Sequence, residues 1–185
     1  MRPSFSTLFA LFVFLGLTSS TVLGALPPEG ATEAEWQSIR IEKYQLKKKS
    51  LGVQGYDPVA YFPEGDPKGK GKPTRGSKNI SLNYKGVAYR FSSKANRELF
   101  KKTPGKYEPA FGGWCAYATG YETFTKPNPK NFKLQDGRLM LFFDSLFTDT
   151  HKLWEEEGPE KLESLADAYW NKQTGERPPA KPVSP

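Results

Sequence analysis

Two stretches of the chain carry strand-like apolar residues about a tight turn, the first alternating apolar and polar on both sides and the second running apolar after its turn. In the first, Ile80-Ser81-Leu82-Asn83-Tyr84 meets Lys85-Gly86 and continues as Val87-Ala88-Tyr89-Arg90-Phe91. In the second, Asn131-Phe132-Lys133-Leu134-Gln135 meets Asp136-Gly137 and continues as Arg138-Leu139-Met140-Leu141-Phe142-Phe143. A period of two places alternate side chains on one face, and a glycine in the turn supplies the positive φ that a two-residue reversal needs. The pattern predicts two β-hairpins.

Helical periods fill the spaces between them. Thr32 and Glu35 have capping-box spacing, so a helix is expected from about Glu33 to Lys49, and its sparse apolar residues (Trp36, Ile39, Tyr44, Leu46) predict an arm outside the core. Asp57-Pro58 marks a turn or helix start before Val59-Ala60-Tyr61-Phe62, and Pro63 to Ser77, rich in Gly, Pro and Lys, reads as a flexible connection. Ser92 or Ser93 can cap a helix through Ala95, Leu99 and Phe100 that Pro104-Gly105 ends. Phe111 to Gly120 sets large aromatics beside glycines and alanines, which implies close backbone packing. Asp144 or Ser145 can cap a helix through Leu146, Phe147, His151 and Trp154. Glu160 to Trp170 carries Leu162, Leu165, Ala166 and Tyr169 on one stripe, and the Pro- and Lys-rich tail after Lys172 is expected to be disordered. Hairpins and helices without strand-helix-strand alternation predict an α+β fold, with a small antiparallel sheet from the two hairpins packed with several helices.

The chain's first residues bear on its compartment. Arg2 precedes the apolar run Leu8 to Leu17, too short to span a bilayer, and Val22 and Gly24 stand at −3 and −1 of a cut before Ala25. This predicts a cleaved signal peptide over 1–24, an arm or linker over 25–54, a domain over 55–172 and a tail over 173–185, in an exported, periplasmic or extracellular protein. Mature-chain stability must then come from packing, since Cys115 is the one cysteine and no internal disulfide can form. Aromatic residues, 14% of the chain, supply the area for a core. The net charge of +7 favours an anionic surface or envelope partner, and export takes nucleic acid out of the expected partners. Basic residues gather at Lys47-Lys48-Lys49 and at Lys68, Lys70, Lys72, Arg75 and Lys78.

From Gly55 onward the chain resembles the exported, stand-alone members of the YHS-domain family. The stretches that carry the resemblance are Gly55-Tyr56-Asp57-Pro58-Val59-Ala60-Tyr61-Phe62, Gly76-Ser77-Lys78, Tyr84 to Phe91, Asn96-Arg97 with Phe100, Pro104-Gly105-Lys106-Tyr107, Gly112-Gly113-Trp114-Cys115-Ala116-Tyr117 and Asp136-Gly137-Arg138-Leu139. The resemblance implies a treble-clef-like core. In the wider family it also implies a soft metal held by cysteines in a Phe-Cys-x-x-x-Cys pattern after the hairpin. Ser92 and Asn96 stand at those two positions here, so that thiolate site does not carry over.

Candidate chemistry therefore centres on Cys115 and its neighbours. Ligand contacts are expected from Trp114, Cys115, Tyr117, Tyr56 and Asp57. A transition metal such as copper or zinc would call on Cys115 and His151, with a carboxylate as third ligand. Cys115 flanked by Trp114 and Ala116 also reads as a small buried hydrophobe, and His151, whose i−4 neighbour is Phe147, as a surface or interface histidine. No paired catalytic carboxylates, phosphate-cradling loop or Ser-His-Asp signature is identifiable. The leading expectation is a non-enzymatic binding module for a metal ion, a small ligand or a partner protein around Gly112 to Tyr117. The alternative is a thiol-dependent enzyme or redox protein using Cys115 with His151.

Overall fold

The computed structural model describes residues 26–178. The apolar run at 8–17, the cleavage site before Ala25 and the tail beyond 178 lie outside the described residues. Both hairpins are present. Strands β1 (Ser77–Tyr84) and β2 (Val87–Phe91) form one, β3 (Asn128–Gln135) and β4 (Arg138–Phe142) the other. Their turns at Lys85-Gly86 and Asp136-Gly137 have positive φ at both residues, which matches strand twist and explains the glycines. The hairpins remain two separate two-stranded sheets and do not merge into the single sheet expected.

Among the described residues six α-helices, α1 (Glu33–Lys43), α2 (Lys94–Lys102), α3 (Pro104–Tyr107), α4 (Ala116–Gly120), α5 (Thr150–Glu157) and α6 (Pro159–Thr174), complete an α+β fold. Ser93 caps α2 through the Asn96 amide, as its position suggests. Asp149, not Asp144 or Ser145, caps α5. Leu146 and Phe147 consequently lie outside the helix, in a loop closed by a bridge between Asp144 and Asp149. Side chains from both hairpins and the helices share one aromatic-rich core that includes Tyr61, Tyr89, Phe91, Phe100, Phe142 and Trp154.

The two hairpins belong to two similarly built units. In the first, Ser77 pairs with Phe91, then Ser81 with Arg90 and Tyr84 with Val87, across a bulge. In the second, Asn128 pairs with Phe142, then Phe132 with Leu141 and Gln135 with Arg138, in the same register with the bulge in the same place. A left-handed turn precedes each hairpin: Val53, Gln54 and Gly55 have φ of 47°, 52° and 85°, and Phe111, Gly112 and Gly113 have 53°, 57° and 86°. The residue entering each turn bridges the second position of the outgoing strand, Leu51 to Ala88 and Pro109 to Leu139, both in parallel. Few aligned positions keep their residue type, Gly55 with Gly113, Gly86 with Gly137 and Phe91 with Phe142 among them. The likeness is one of backbone geometry and was invisible as a repeat in the sequence.

Both ends of the described chain correct the sequence reading. Helix α1 stops at Lys43, not near Lys49, and it packs on the domain with Trp36 and Arg40 buried. Arg40 can be buried because Glu108 pairs with it, while its guanidinium also donates to the Tyr44 hydroxyl at 3.0 Å and the Lys85 carbonyl at 3.2 Å. Burial, the largest single influence, would lower the Arg40 pKa, but the Glu108 carboxylate together with Tyr44 and Tyr89 outweighs it and the net shift is upward. Residues 173–178 are ordered against the body, with Thr174 and Glu176 buried. The Glu176 carboxylate accepts from Trp36 Nε1 at 2.5 Å, Trp170 Nε1 at 2.9 Å and the Tyr44 hydroxyl at 3.0 Å, and Leu26 pairs with Arg177. An arm and a tail that look polar in sequence thus meet around one buried carboxylate.

Candidate functional site: two equivalent buried corners

Asp57 and Cys115 occupy the same place in the two units, two residues beyond the last left-handed residue of each turn. The Asp57 amide donates to the Thr74 carbonyl at 2.8 Å, and the Cys115 amide to the Thr125 carbonyl at 3.0 Å. Each side chain then takes the first backbone N–H after the outgoing strand: Asp57 Oδ2 accepts from Ser92 N at 2.8 Å, and Cys115 Sγ from Phe143 N at 3.3 Å. That amide has no strand partner left, so a buried acceptor is needed where the strand gives way to the helix connection.

The first corner is fully hydrogen-bonded. Asp57 is completely buried, and its carboxylate also accepts from Val59 N at 2.9 Å, Ser92 Oγ at 2.7 Å and Asn96 Nδ2 at 2.7 Å. Asn96 gives a further bond to the Gly65 carbonyl at 2.9 Å. The two positions where the family resemblance places metal-binding thiols therefore converge on one carboxylate. Ser92 lies just before the cap of α2 and Asn96 in its first turn, and Asn96 Nδ2 also donates to Ser92 Oγ at 3.3 Å. Outside this corner lies a groove of about 440 Å³ bordered by Glu64, Asp66, Thr74, Ser92, Ser93 and Asn96. Glu64 is committed to Lys106 at 2.5 Å and to the Tyr107 hydroxyl at 3.2 Å, and these bonds hold its carboxyl below the usual range against the opposing effect of burial.

The second corner is smaller and less polar. Cys115 is completely buried, and its Sγ lies 3.3 Å from Thr150 Oγ1, which itself donates to the Phe143 carbonyl at 2.7 Å. His151 follows Thr150 in α5 but makes other contacts: its ring stacks on Phe142 at 4.7 Å, Nδ1 lies 3.2 Å from Asn131 Oδ1, and Nε2 lies 3.5 Å from Glu155. Thr150, not His151, is the partner of the thiol. Among the described residues no group of three or more His, Cys, Asp and Glu side chains could hold a metal ion, so the donor set expected around Cys115 and His151 is not assembled.

The expected ligand-binding aromatics are committed to the scaffold. Tyr56 is buried with the Arg75 guanidinium 4.2 Å over its ring. Trp114 stacks on Phe124 at 5.3 Å and donates to the Lys43 carbonyl at 2.7 Å, which fastens the second left-handed turn to the end of α1. Tyr117 donates to Glu157 at 2.8 Å, and its hydroxyl is pushed well above the ordinary tyrosine range by burial and then by that carboxylate. A cavity among Tyr44, Glu108, Arg138, Trp170 and Glu176 measures only about 30 Å³, room for a single water.

The least committed large side chains lie on the surface. Leu146 and Phe147 are 88% and 91% exposed, side by side at the tip of the loop between β4 and α5. The tip is a formed turn: Ser145 N donates to the Thr148 carbonyl at 2.8 Å, and Phe147 N to Ser145 Oγ at 3.3 Å. Its base is fixed to β3 by Asn128 donating to Asp144 at 3.1 Å and Asn131 to Asp149 at 2.8 Å. The sequence reading placed both residues in a helix capped by Asp144 or Ser145. The signal against that assignment was Asp149 followed by Thr150-His151, a second capping position after the apolar pair. No helix among the described residues is long and apolar enough to cross a membrane. No family model, curated protein or solved structure matches the chain.

Proposed function

We propose that this chain is an exported YHS-like domain that works as a non-enzymatic binding module and meets its partner at the surface. The observation that carries this reading is the commitment of its candidate reactive groups to internal bonds. Asp57 accepts from Val59, Ser92 and Asn96, and the Cys115 sulfur is enclosed against Phe143 and Thr150. A nucleophile has to reach substrate as an exposed thiolate, and a buried, hydrogen-bonded thiol does not. Two corners built alike around a carboxylate in one unit and a thiol in the other also favour a structural role, since the shared feature is the clamp on the strand-exit amide. The Leu146-Phe147 tip, in contrast, is almost wholly exposed.

Alkylation of Cys115 as a function of pH tests the reading. We expect labelling only at the rate of unfolding, with full reaction in denaturant. Rapid labelling of the native protein that rises with thiolate formation would support the thiol-enzyme alternative and defeat this one. Elemental analysis of untagged protein tests the metal branch: a specific site fills near one per chain, so less than about 0.1 metal per chain under reducing conditions removes it.

A further inference from the structure

We propose that the partner is an anionic lipid surface, with Leu146 and Phe147 entering the interface while the basic segment Lys68–Lys78 lies against the headgroups. This identifies the partner of the binding module and rests on that reading. Three observations carry it.

The first is the shape of the apolar feature. Leu146 and Phe147 are adjacent, almost wholly exposed, and raised on a turn whose backbone is internally bonded and whose base is fixed to β3. Two bulky side chains on a rigid protrusion form a wedge. A wedge of this kind loses little conformational freedom on insertion, whereas a protein partner would need a matching pocket.

The second is charge. Lys68, Lys70, Lys72, Arg75 and Lys78 are all exposed, and none forms a salt bridge among the described residues. Asp66, two residues before the segment, turns its carboxylate to the backbone amides of Lys68 and Lys70 at 3.3 and 3.2 Å, which organises the loop that carries the lysines. Unneutralised lysines on an ordered loop complement a negatively charged surface, and the chain's net charge of +7 has the same sign.

The third is proximity. Arg75 donates to the Gln54 carbonyl at 3.0 Å, and Gln54 Nε2 donates to the Pro127 carbonyl at 2.8 Å. Tyr61 donates to the Pro129 carbonyl at 2.8 Å, while Lys72 N bonds to the Ala60 carbonyl at 2.7 Å. The basic segment is thus anchored beside residues 127–129, where β3 begins, and the same strand holds the base of the tip through Asn128 and Asn131. Exposed Lys126 and Lys130, which form no salt bridge among the described residues, stand on that shared stretch. Apolar insertion and headgroup attraction are each weak, and an interfacial protein becomes well bound when both act at neighbouring points.

Co-sedimentation of the full mature chain with phosphatidylcholine vesicles, with and without phosphatidylglycerol, tests this. The protein should sediment with the anionic vesicles and not with pure phosphatidylcholine. Leu146→Ser with Phe147→Ser should lower partitioning by about tenfold or more, with unfolding midpoints unchanged because neither side chain packs on the core. Lys68→Glu, Lys70→Glu and Lys72→Glu together should also lower it. Raising salt from about 0.1 M to about 1 M should weaken binding of the parent chain, as the screening length contracts from about 10 Å to about 3 Å. Equal sedimentation with both vesicle types, or full anionic binding by the doubly substituted tip, overturns the proposal. So does no sedimentation with either vesicle, for which a protein partner at the tip is the remaining occupant. That failure leaves the binding-module reading standing, because native-state alkylation of Cys115 tests it separately.

Discussion

Replacing Asp57 by alanine removes the acceptor on which the first corner is built. Four donors lose it: Val59 N at 2.9 Å, Ser92 N at 2.8 Å, Ser92 Oγ at 2.7 Å and Asn96 Nδ2 at 2.7 Å, around a carboxylate that is itself completely buried. The Ser92 hydroxyl can rotate to another partner and Asn96 keeps the Gly65 carbonyl, so the two backbone amides dominate the cost. At roughly 1–3 kcal/mol for each stranded buried donor, Asp57→Ala should destabilise the protein by about 4 kcal/mol. That is a large share of the roughly 5–15 kcal/mol that holds a typical domain folded. Asp57→Asn keeps one oxygen but aims its amide at other donors, and should cost about 2 kcal/mol. Cys115→Ala at the equivalent corner loses two long sulfur contacts and leaves a small void, about 1–2 kcal/mol. Urea unfolding followed by tryptophan fluorescence measures all three as midpoint shifts at constant slope. An Asp57→Ala cost below about 1 kcal/mol, or one no larger than that of Cys115→Ala, would refute the assignment of Asp57 as the hub.

Two further substitutions probe the left-handed turn and the buried tail. A Cβ at Gly112 would lie 2.8 Å from ring atoms of both Tyr44 and Trp170, at a φ of 57°. Gly112→Ala should therefore cost at least about 2 kcal/mol in the same unfolding assay, and a neutral result would show that α1 and α6 yield easily at this point. Burial pushes the Glu176 carboxyl above its ordinary value despite bonds from Trp36, Trp170 and Tyr44 that pull it down. A raised carboxyl favours the folded state while it is protonated, so this contribution is complete below the unfolded value and is lost as pH rises through the folded one. Stability of the parent chain relative to Glu176→Gln should accordingly fall from acid toward neutral pH, and a difference that stays flat or grows over that range contradicts the reading.

Local pattern made the hairpins and most of the helices legible, because Lys85-Gly86 sits between alternating residues, Asp136-Gly137 is a strong hairpin turn, and Ser93 stands where a cap is needed. The long-range partners were not legible. Arg40 reads as a solvated helix residue until Glu108, 68 positions away in sequence, is known to pair with it. Glu176 reads as part of a polar tail until Trp36 and Tyr44 are known to donate to it. Of the residues expected to contact a ligand, Asp57 and Cys115 form the two corners, whereas Tyr56, Trp114 and Tyr117 are committed to Arg75, Lys43 and Glu157. Ser92 and Asn96 were recognised only as substitutes for thiols, since nothing local shows that both turn to Asp57. Pairing Cys115 with His151 rested on their being the chain's one cysteine and one histidine, and α5 presents Thr150 to the thiol instead. The Leu146-Phe147 tip was placed in a helix because Asp144, Ser145 and Asp149 are all capping residue types, and only the fold shows that Asp149 starts α5.

An environment-sensitive fluorophore on Thr148→Cys, next to the tip, offers the most direct view of whether this surface is where the protein acts. Enclosure of Cys115 makes the introduced thiol the reactive one in the folded chain. On addition of phosphatidylglycerol-containing vesicles the account predicts a blue-shifted emission, quenched by spin labels placed shallow in the acyl region. The shift should be absent with pure phosphatidylcholine and reversed by high salt. An emission that stays at its aqueous position while the protein sediments with the vesicles would contradict it, since the tip would then remain in water and the basic segment alone would hold the surface.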